Sequence, residues 1–286
     1  MKVVMTLLVR DEQDVLEANL DFHLSQGVDL VVATDNLSQD ATPDILEDYA
    51  RRGVVVWRRE TDDDYAQAAW VTRMAREAAS EHGADWVVNS DADEFWLPTE
   101  GTLRTHLASL PDDLGGVKVP RTNFVPLPEE QELPFYERMT VREVVSRNDR
   151  GKRILPKVAH RAHPHVTVGQ GNHRVEAEGL GPVEPATGLE ILHFPMRSFR
   201  QFENKIVKGG RAYGRNPERA RYGRIWQDLY ERQQAGELEE YYATMMPSRR
   251  QLARRLERGT YVEDVRLRDH LRALWDTPAG GTGSGS

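Results

Sequence analysis

The chain has 286 residues, no cysteine, and a formal charge of −8 from 38 Lys and Arg against 46 Asp and Glu. The missing cysteines exclude disulfides, thiolate metal sites and cysteine nucleophiles, so a metal must be held through oxygen or imidazole. The acidic balance argues against a general nucleic-acid binder, and the length suits one large α/β domain or one domain plus a helical appendage.

Taken in chain order, Val3 to Val9 reads as a buried strand. The apolar run there is too short for a membrane span and has no cleavage-site pattern, which makes the cytoplasm the expected location. A polar break at Arg10-Asp11-Glu12 precedes a helix from about Asp14 to Gln26, ended by Gly27. Leu30 to Thr34 is a second buried strand, and Thr42-Pro43 opens a helix through about Arg52. Val54 to Arg58 is a third strand, Asp64 to Glu81 a third helix, and Trp86 to Ser90 a fourth strand. This alternation implies right-handed crossovers and a largely parallel sheet, with the polar ends Arg10 to Glu12, Asp35 to Ser38, Arg58 to Asp64 and Ser90 to Glu94 along one edge. Neither glycine-rich phosphate motif follows the first strand, so a classical dinucleotide site or P-loop is not expected.

The fourth strand ends in Asp91-Ala92-Asp93-Glu94, three carboxylates within four residues, followed at once by Phe95-Trp96. In an extended segment Asp91 and Asp93 share a side and can face one cation and the oxygens of a ligand it carries. Ligands bind at such strand ends in open α/β sheets, and a carboxylate cluster among aromatics needs a compensating partner.

The second half is less regular. Thr102 to Leu110 reads as a helix, Gly116 to Pro120 as a strand, and Thr122 to Leu133 as a proline-punctuated loop, either part of an acceptor pocket or a surface excursion. Val141 to Ser146, Val158 to Val168 and Glu190 to Phe194 read as strands. Ser198 starts a basic helix to about Lys208, which Gly209-Gly210 is expected to break, and amphipathic helices fill much of Glu218 to Leu274. The arginines from Arg197 to Arg272 form either an anionic-ligand surface or solvated helix faces. The Gly/Ser-rich end reads as a linker. The expected division is a catalytic domain over 1–215, a helical extension over 216–276 and a flexible tail over 277–286.

Four pieces stand in one order: Val9-Arg10-Asp11-Glu12; Gly27-Val28-Asp29 leading to Asp35-Asn36-Leu37-Ser38-Gln39-Asp40; Asp91-Ala92-Asp93-Glu94-Phe95; and His193-Phe194-Pro195-Met196-Arg197-Ser198 with Lys205 and Gly209 downstream. Together they resemble a glycosyltransferase of the family 2 type, in its cytoplasmic bacterial branch with the Asp-x-Asp-Glu-Phe signature, over roughly residues 3 to 210. The chain departs from that pattern in carrying Asp11 where asparagine is usual.

The resemblance implies a glycosyltransferase A-type fold, an α/β nucleotide sandwich with a mainly parallel central sheet and C-terminal helices. It implies a nucleotide-diphosphate sugar donor, a divalent Mn or Mg ion, and transfer to an acceptor hydroxyl with inversion. Asp93 would hold the cation, with Asp91 joining it or contacting ribose and sugar hydroxyls, and His193 or its rival His173 as a further ligand. Arg10, Glu12 and Asp35 at the first two strand ends would contact the nucleotide. Tyr65, Gln67 and Arg73 lie at or near the start of the third helix, and Arg73, Arg197 and Lys205 would hold phosphates. The catalytic base is open among Glu94, Glu176 and Glu190. The acceptor is a glycan, a lipid-linked glycan, a small molecule or a protein. Nucleic acid and an integral membrane segment are not expected, and a peripheral membrane contact through the arginine-rich helices is compatible with the charge. The competing readings are a nucleotidyltransferase, which normally has a glycine-rich signature after the first strand, and a degenerate nucleotide-sugar or glycan-binding module, against which the intact acidic cluster argues.

Overall fold

A computed structural model describes residues 1–62, 66–127, 133–148, 151–215 and 224–276, with the side chains of 212–226 outside the description. Through the first half, strands β1 (Val3–Val9), β2 (Leu30–Asn36), β3 (Val55–Glu60) and β4 (Trp86–Asp91) alternate with helices α1 (Leu16–Ser25), α2 (Thr42–Arg51) and α3 (Gln67–Ser80). There follow β5 (Glu94–Pro98), α4 (Leu103–Ala108), β6 (Gly116–Val119), β7 (Arg121–Asn123), α5 (Phe135–Arg138), β8 (Val141–Glu143), β9 (Lys157–Arg161), β10 (Thr167–Val168), β11 (Val175–Glu176), β12 (Val183–Pro185) and β13 (Leu189–His193). Helix α6 (Phe199–Arg215), three further helices over Arg224–Gln234, Leu238–Met245 and Arg249–Glu257, strand β14 (Tyr261–Glu263) and a last helix Arg266–Asp276 complete the described chain.

The main sheet runs β12-β6-β9-β4-β1-β2-β3. Its block β4-β1-β2-β3 is parallel, and β9 joins β4 antiparallel. Strand β1 is apolar along nearly its whole length because both its faces are covered: Val3, Met5, Leu7 and Val9 enter one core cluster, and Val4 enters the other. The fold is therefore the α/β sandwich with a mainly parallel sheet that the sequence implies. In register, Val9 lies beside Asp35 and Leu8 beside Asp91, which sets the polar ends of β1, β2 and β4 side by side. A second sheet, β5-β13-β7, crosses this edge and pairs His193 with both Glu94 and Asn123.

Four expectations need correction. Strand β2 runs on to Asn36, because Asp35 and Asn36 keep their pairing to Arg59 and Glu60 of β3. The stretch 158–168 is two short strands, β9 and β10, which pair with different partners. Strand β8 stops at Glu143, where β14 stops pairing with it. Most consequentially, α6 does not break at Gly209-Gly210. A Cβ at Gly210 would sit 2.6 Å from Cβ of Tyr230 on the helix Arg224–Gln234, so this glycine permits close helix contact rather than ending the helix. The end of the chain also returns to the first half: β14 pairs with β8, and the last helix meets α1, where Trp275 Nε1 donates to Asp21 at 2.7 Å.

Histidines are built into this core uncharged. His23 lies fully buried between Asn19 O, to which its Nδ1–H donates at 2.8 Å, and the Trp96 N–H, which donates to Nε2 at 3.2 Å. Burial lowers His23 from 6.5 to about 4, and does the same to His160 on β9. The unfolded chain therefore binds these protons before the native state does. Stability should be intact above pH 6.5 and fall as pH drops towards 4, by about 1.4 kcal/mol per pH unit for each histidine. A pH series of thermal melts should show this loss, with a shallower slope in His160→Gln.

Candidate active site

The acidic cluster divides its carboxylates between a strand end and a tight turn. Asp91 closes β4, Ala92 turns into the core, and Glu94 opens β5. Asn19 of α1 fixes the turn from beneath, its Nδ2 donating to the carbonyls of Ala92 and Glu94 at 2.9 Å each. Phe194 N donates to Asp93 O at 2.8 Å, tying the turn to the end of β13. Asp93 is consequently buried, whereas the Asp91 side chain keeps 31% of its surface exposed.

One ligand atom each from Asp93, Glu94 and His193 lies within 4.8 Å of the other two. His193 Nε2 is 3.6 Å from Asp93 Oδ1, and its Nδ1–H donates to Asn123 Oδ1 at 2.7 Å. That bond selects the tautomer whose Nε2 lone pair faces the carboxylates. Burial, assisted by Arg121, Lys205 and Lys157 against the opposing pull of Asp93, lowers His193 to about 3, so the ring is neutral at physiological pH. The Asp93 carboxylate and the neutral imidazole form a donor pair that fits a divalent first-row ion, with Glu94 beside them. Asn123→Ala, which leaves both donors in place, should weaken Mn binding about tenfold with little change in melting temperature, as titration by electron paramagnetic resonance would show.

Cations compensate these carboxylates from within the chain. Lys205 Nζ is 3.2 Å from Asp93 Oδ2, with Arg197 Nη1 at 3.9 Å. Burial opposes ionisation of Asp93, but Lys205 and its neighbouring cations outweigh it and hold the carboxyl well below the usual range. Glu94 Oε1 accepts from Arg121 at 2.8 Å and lies 3.4 Å from Lys157, which also pairs with Asp91. Burial pushes Glu94 up to about 7 despite Lys157 and Arg121. Asn172 Nδ2 donates to Asp91 Oδ1 at 3.2 Å.

A cavity of about 160 Å³ lies against this cluster. Leu8, Val9, Arg10 and Asp11 from the end of β1, Asn36 from β2, and Gln67 from the start of α3 form one side, and Asp91, Asp93 and His193 the floor. Gln201, Asn204, Lys205 and Lys208 of α6 form the roof, at the i, i+3, i+4, i+7 spacing of one helix face, while Phe202 and Ile206 face the opposite way into their own cluster. Ser198 Oγ accepts from Gln201 N at 3.0 Å and caps this helix. Lys208 pairs with Asp11, whose backbone stands at φ 53° and whose Oδ1 accepts from Gln39 N at 2.8 Å.

Of the residues named from the sequence, Arg10, Gln67, Asp91, Asp93, His193 and Lys205 line the cavity. The others are placed elsewhere. Arg197, fully buried, donates to Asp14, to Glu12 and to the Phe194 carbonyl, so neither Arg197 nor Glu12 presents itself to a phosphate or nucleotide. Asp35 is buried behind Asn36, accepting from Ser38 N at 3.3 Å and facing Arg59 Nε at 3.7 Å. Arg73 pairs with Glu60 at 3.0 Å on the outside of α3. Glu176 is exposed beside Arg174, and Glu190 pairs with Arg266 at the far end of β13 from His193. Glu94 adjoins the cavity but is sealed between Arg121 and Lys157. His173 Nδ1 is engaged with the Pro156 carbonyl at 2.7 Å, and its neighbour Asn172 is the one that reaches Asp91. Tyr65, and 128–132 of the loop expected to border an acceptor pocket, lie outside the described residues.

Sequence reasoning missed Lys157, Arg121, Asn123, Asn204 and Lys208. Two signals were present: a lone lysine opening the apolar strand Lys157-Val158-Ala159, and a polar stripe at helical spacing along α6.

No protein-family model and no curated protein matches the chain. Among solved structures it is similar to Staphylococcus aureus TarS 1-349 in complex with UDP, at 14% identity over 77% of this chain and 68% of that one, with a TM-score of 0.42. It is similar to the mannosyltransferase PcManGT of Pyrobaculum calidifontis in complex with GDP-Man and Mn2+, at 22% identity over 42% of this chain and 35% of that one, TM-score 0.33. It is also similar to glucosyl-3-phosphoglycerate synthase of Mycobacterium tuberculosis in complex with Mn2+, UDP and glucosyl-3-phosphoglycerate, at 18% identity over 42% of this chain and 44% of that one, TM-score 0.30. With TM-scores this low, the functional reading rests on the chain's own geometry.

Proposed function

We propose that the chain is a glycosyltransferase that moves a sugar from a nucleotide-diphosphate donor to an acceptor hydroxyl with inversion, using a divalent cation. The observation that carries this reading is the meeting of Asp93, Glu94 and His193 beneath a cavity roofed by Lys205 and Lys208 at the C-terminal edge of a parallel sheet. Anion-binding lysines opposite cation-binding carboxylates suit a ligand that carries phosphate and metal together.

In this reading Asp93 and His193 hold the cation, with Asn123 fixing the imidazole. These residues would hold a divalent ion that would supply positive charge against the charge growing on the diphosphate as the sugar leaves. Lys205 moves from Asp93 towards a phosphate oxygen and adds a second positive charge on the departing group. Asp91, half turned to the cavity and oriented by Lys157 and Asn172, accepts hydrogen bonds from ribose or sugar hydroxyls. Glu94 is a positioning residue: it accepts the Asp91 N–H at 3.3 Å and anchors Lys157 and Arg121. Arg10, Asn36 and Gln67 border the space left for the nucleoside.

The acceptor in this reading is a glycan, a lipid-linked glycan or a small molecule. Among the described residues no helix is long and apolar enough to cross a membrane. The exposed helix Arg249–Glu257 carries Arg250 and Arg254 four residues apart on one side, a basic edge for a peripheral encounter with an anionic surface.

Incubation with a panel of nucleotide-diphosphate sugars and Mn, without acceptor, tests the reading. Slow release of nucleoside diphosphate and free sugar supports it. Release of sugar 1-phosphate, with the nucleoside monophosphate transferred or freed, indicates nucleotidyl transfer, and binding without release of any of these products indicates a recognition module.

A further inference from the structure

The cavity of about 160 Å³ is too small for a nucleotide-diphosphate sugar, since pockets for ligands of that size are usually about 300–1,000 Å³. A second cavity of about 530 Å³ lies next to it, between the loop after β1, the loop after β2 and the N-terminal half of α6. Asp11, Gln201, Asn204 and Lys208 line both cavities, so the Asp11–Lys208 ion pair stands in the partition between them.

The two partners of that pair are unequally fixed. Asp11 is locked from three directions: its N–H donates to Ser38 Oγ at 2.8 Å, its Oδ1 accepts from Gln39 N at 2.8 Å, and its Oδ2 takes Lys208. Its left-handed backbone, at φ 53°, holds the carboxylate in place from the chain side. Lys208, by contrast, reaches across from the face of α6 on a flexible four-carbon stem. One helical turn earlier Lys205 makes the equivalent bridge to Asp93, so α6 is fastened to the strand ends by two lysines on one face.

We propose that Asp11 and Lys208 form a donor-operated latch: the diphosphate of the donor draws Lys208 off Asp11, joins the two cavities into one cleft, and retains Lys208 as a phosphate ligand. The inference rests on the donor-site reading above and adds to it the residues that admit the ligand. Asp11 competes with the diphosphate for Lys208, so the free chain gives up part of its donor affinity to keep the cleft divided. Nucleosides without phosphate have nothing to exchange for the carboxylate and leave the latch closed.

Calorimetric titration of the full chain, in the presence of Mn, with UDP, GDP and dTDP, and with the matching nucleosides, tests this, with thermal melts confirming that each variant is folded. Lys208→Met should weaken the nucleoside diphosphate that the wild type binds by about tenfold, through loss of a charge-assisted hydrogen bond, and leave the nucleoside unchanged. Asp11→Asn keeps the Oδ1 acceptor and a residue type tolerant of the left-handed backbone, but releases Lys208, and should tighten the same diphosphate about threefold or more. Wild-type binding with neither variant shifted, or with Asp11→Asn weakened as much as Lys208→Met, overturns the latch and leaves the donor site standing. A wild type that binds none of the three diphosphates overturns both.

Discussion

Asp93→Asn is expected to lower sugar transfer by about 10²–10³-fold, or about 3–4 kcal/mol of transition-state stabilisation, while leaving the fold in place. The substitution is nearly isosteric, and the backbone carbonyl that Phe194 N bonds is untouched. What changes is charge. Asp93 is the carboxylate on which Lys205, Arg197 and His193 converge, and it contributes to the group of atoms that fits a divalent ion. An amide there removes one anionic ligand and leaves Lys205 without its nearest counter-charge. Nucleoside diphosphate release under saturating donor should show the loss in kcat, and Mn titration should show weakened binding in parallel. A variant with unchanged kcat would remove Asp93 from the chemistry.

Arg197→Met should instead cost stability. The guanidinium is 0% exposed and joins Glu12, Asp14 and the carbonyl of Phe194, so it ties the loop after β1 to the end of β13. Methionine fills similar space but leaves the half-buried carboxylate of Glu12 without its partner. Loss of one member of a buried ionic network costs about 3–5 kcal/mol. Asp14, 37% exposed, regains water, which places the expected loss near the lower figure, about 3 kcal/mol. For a domain of this size that corresponds to a fall of roughly 6–12 °C in Tm. Activity should fall as well, because the His193-Phe194 corner loses its tether to Glu12 and Asp14. A melting temperature within a degree of wild type would show that the network is dispensable.

These two residues mark what was and was not legible in the sequence. Asp93 was legible because an apolar strand ending in three carboxylates is a local pattern, and local patterns survive in one dimension. The same holds for β1, α2 and β4, whose buried residues run continuously or at helical spacing. The role of Arg197 was not legible: its partners stand 183 and 185 residues away, and nothing in an arginine at the head of a basic helix tells an ion pair in the core from a phosphate ligand. Lys157 and Asp91, 66 residues apart, pose the same problem. The path of α6 through Gly209-Gly210 was misread because intrinsic propensity counts the cost of glycine in a helix. It cannot register the approach of Tyr230 that glycine makes possible. Glu176 and Glu190 were plausible bases only while their strands had no location, and β11 and the far end of β13 place them outside the cavity.

Crystals of the chain grown with Mn and a nucleoside diphosphate, read by anomalous scattering at the manganese edge, test the central claim most directly. The account predicts one strong peak bonded to Asp93 and His193, with diphosphate oxygens completing its shell and Lys205 turned from the aspartate to a phosphate. A manganese bound away from these side chains, or a diphosphate seated outside the cleft beneath α6, would contradict it.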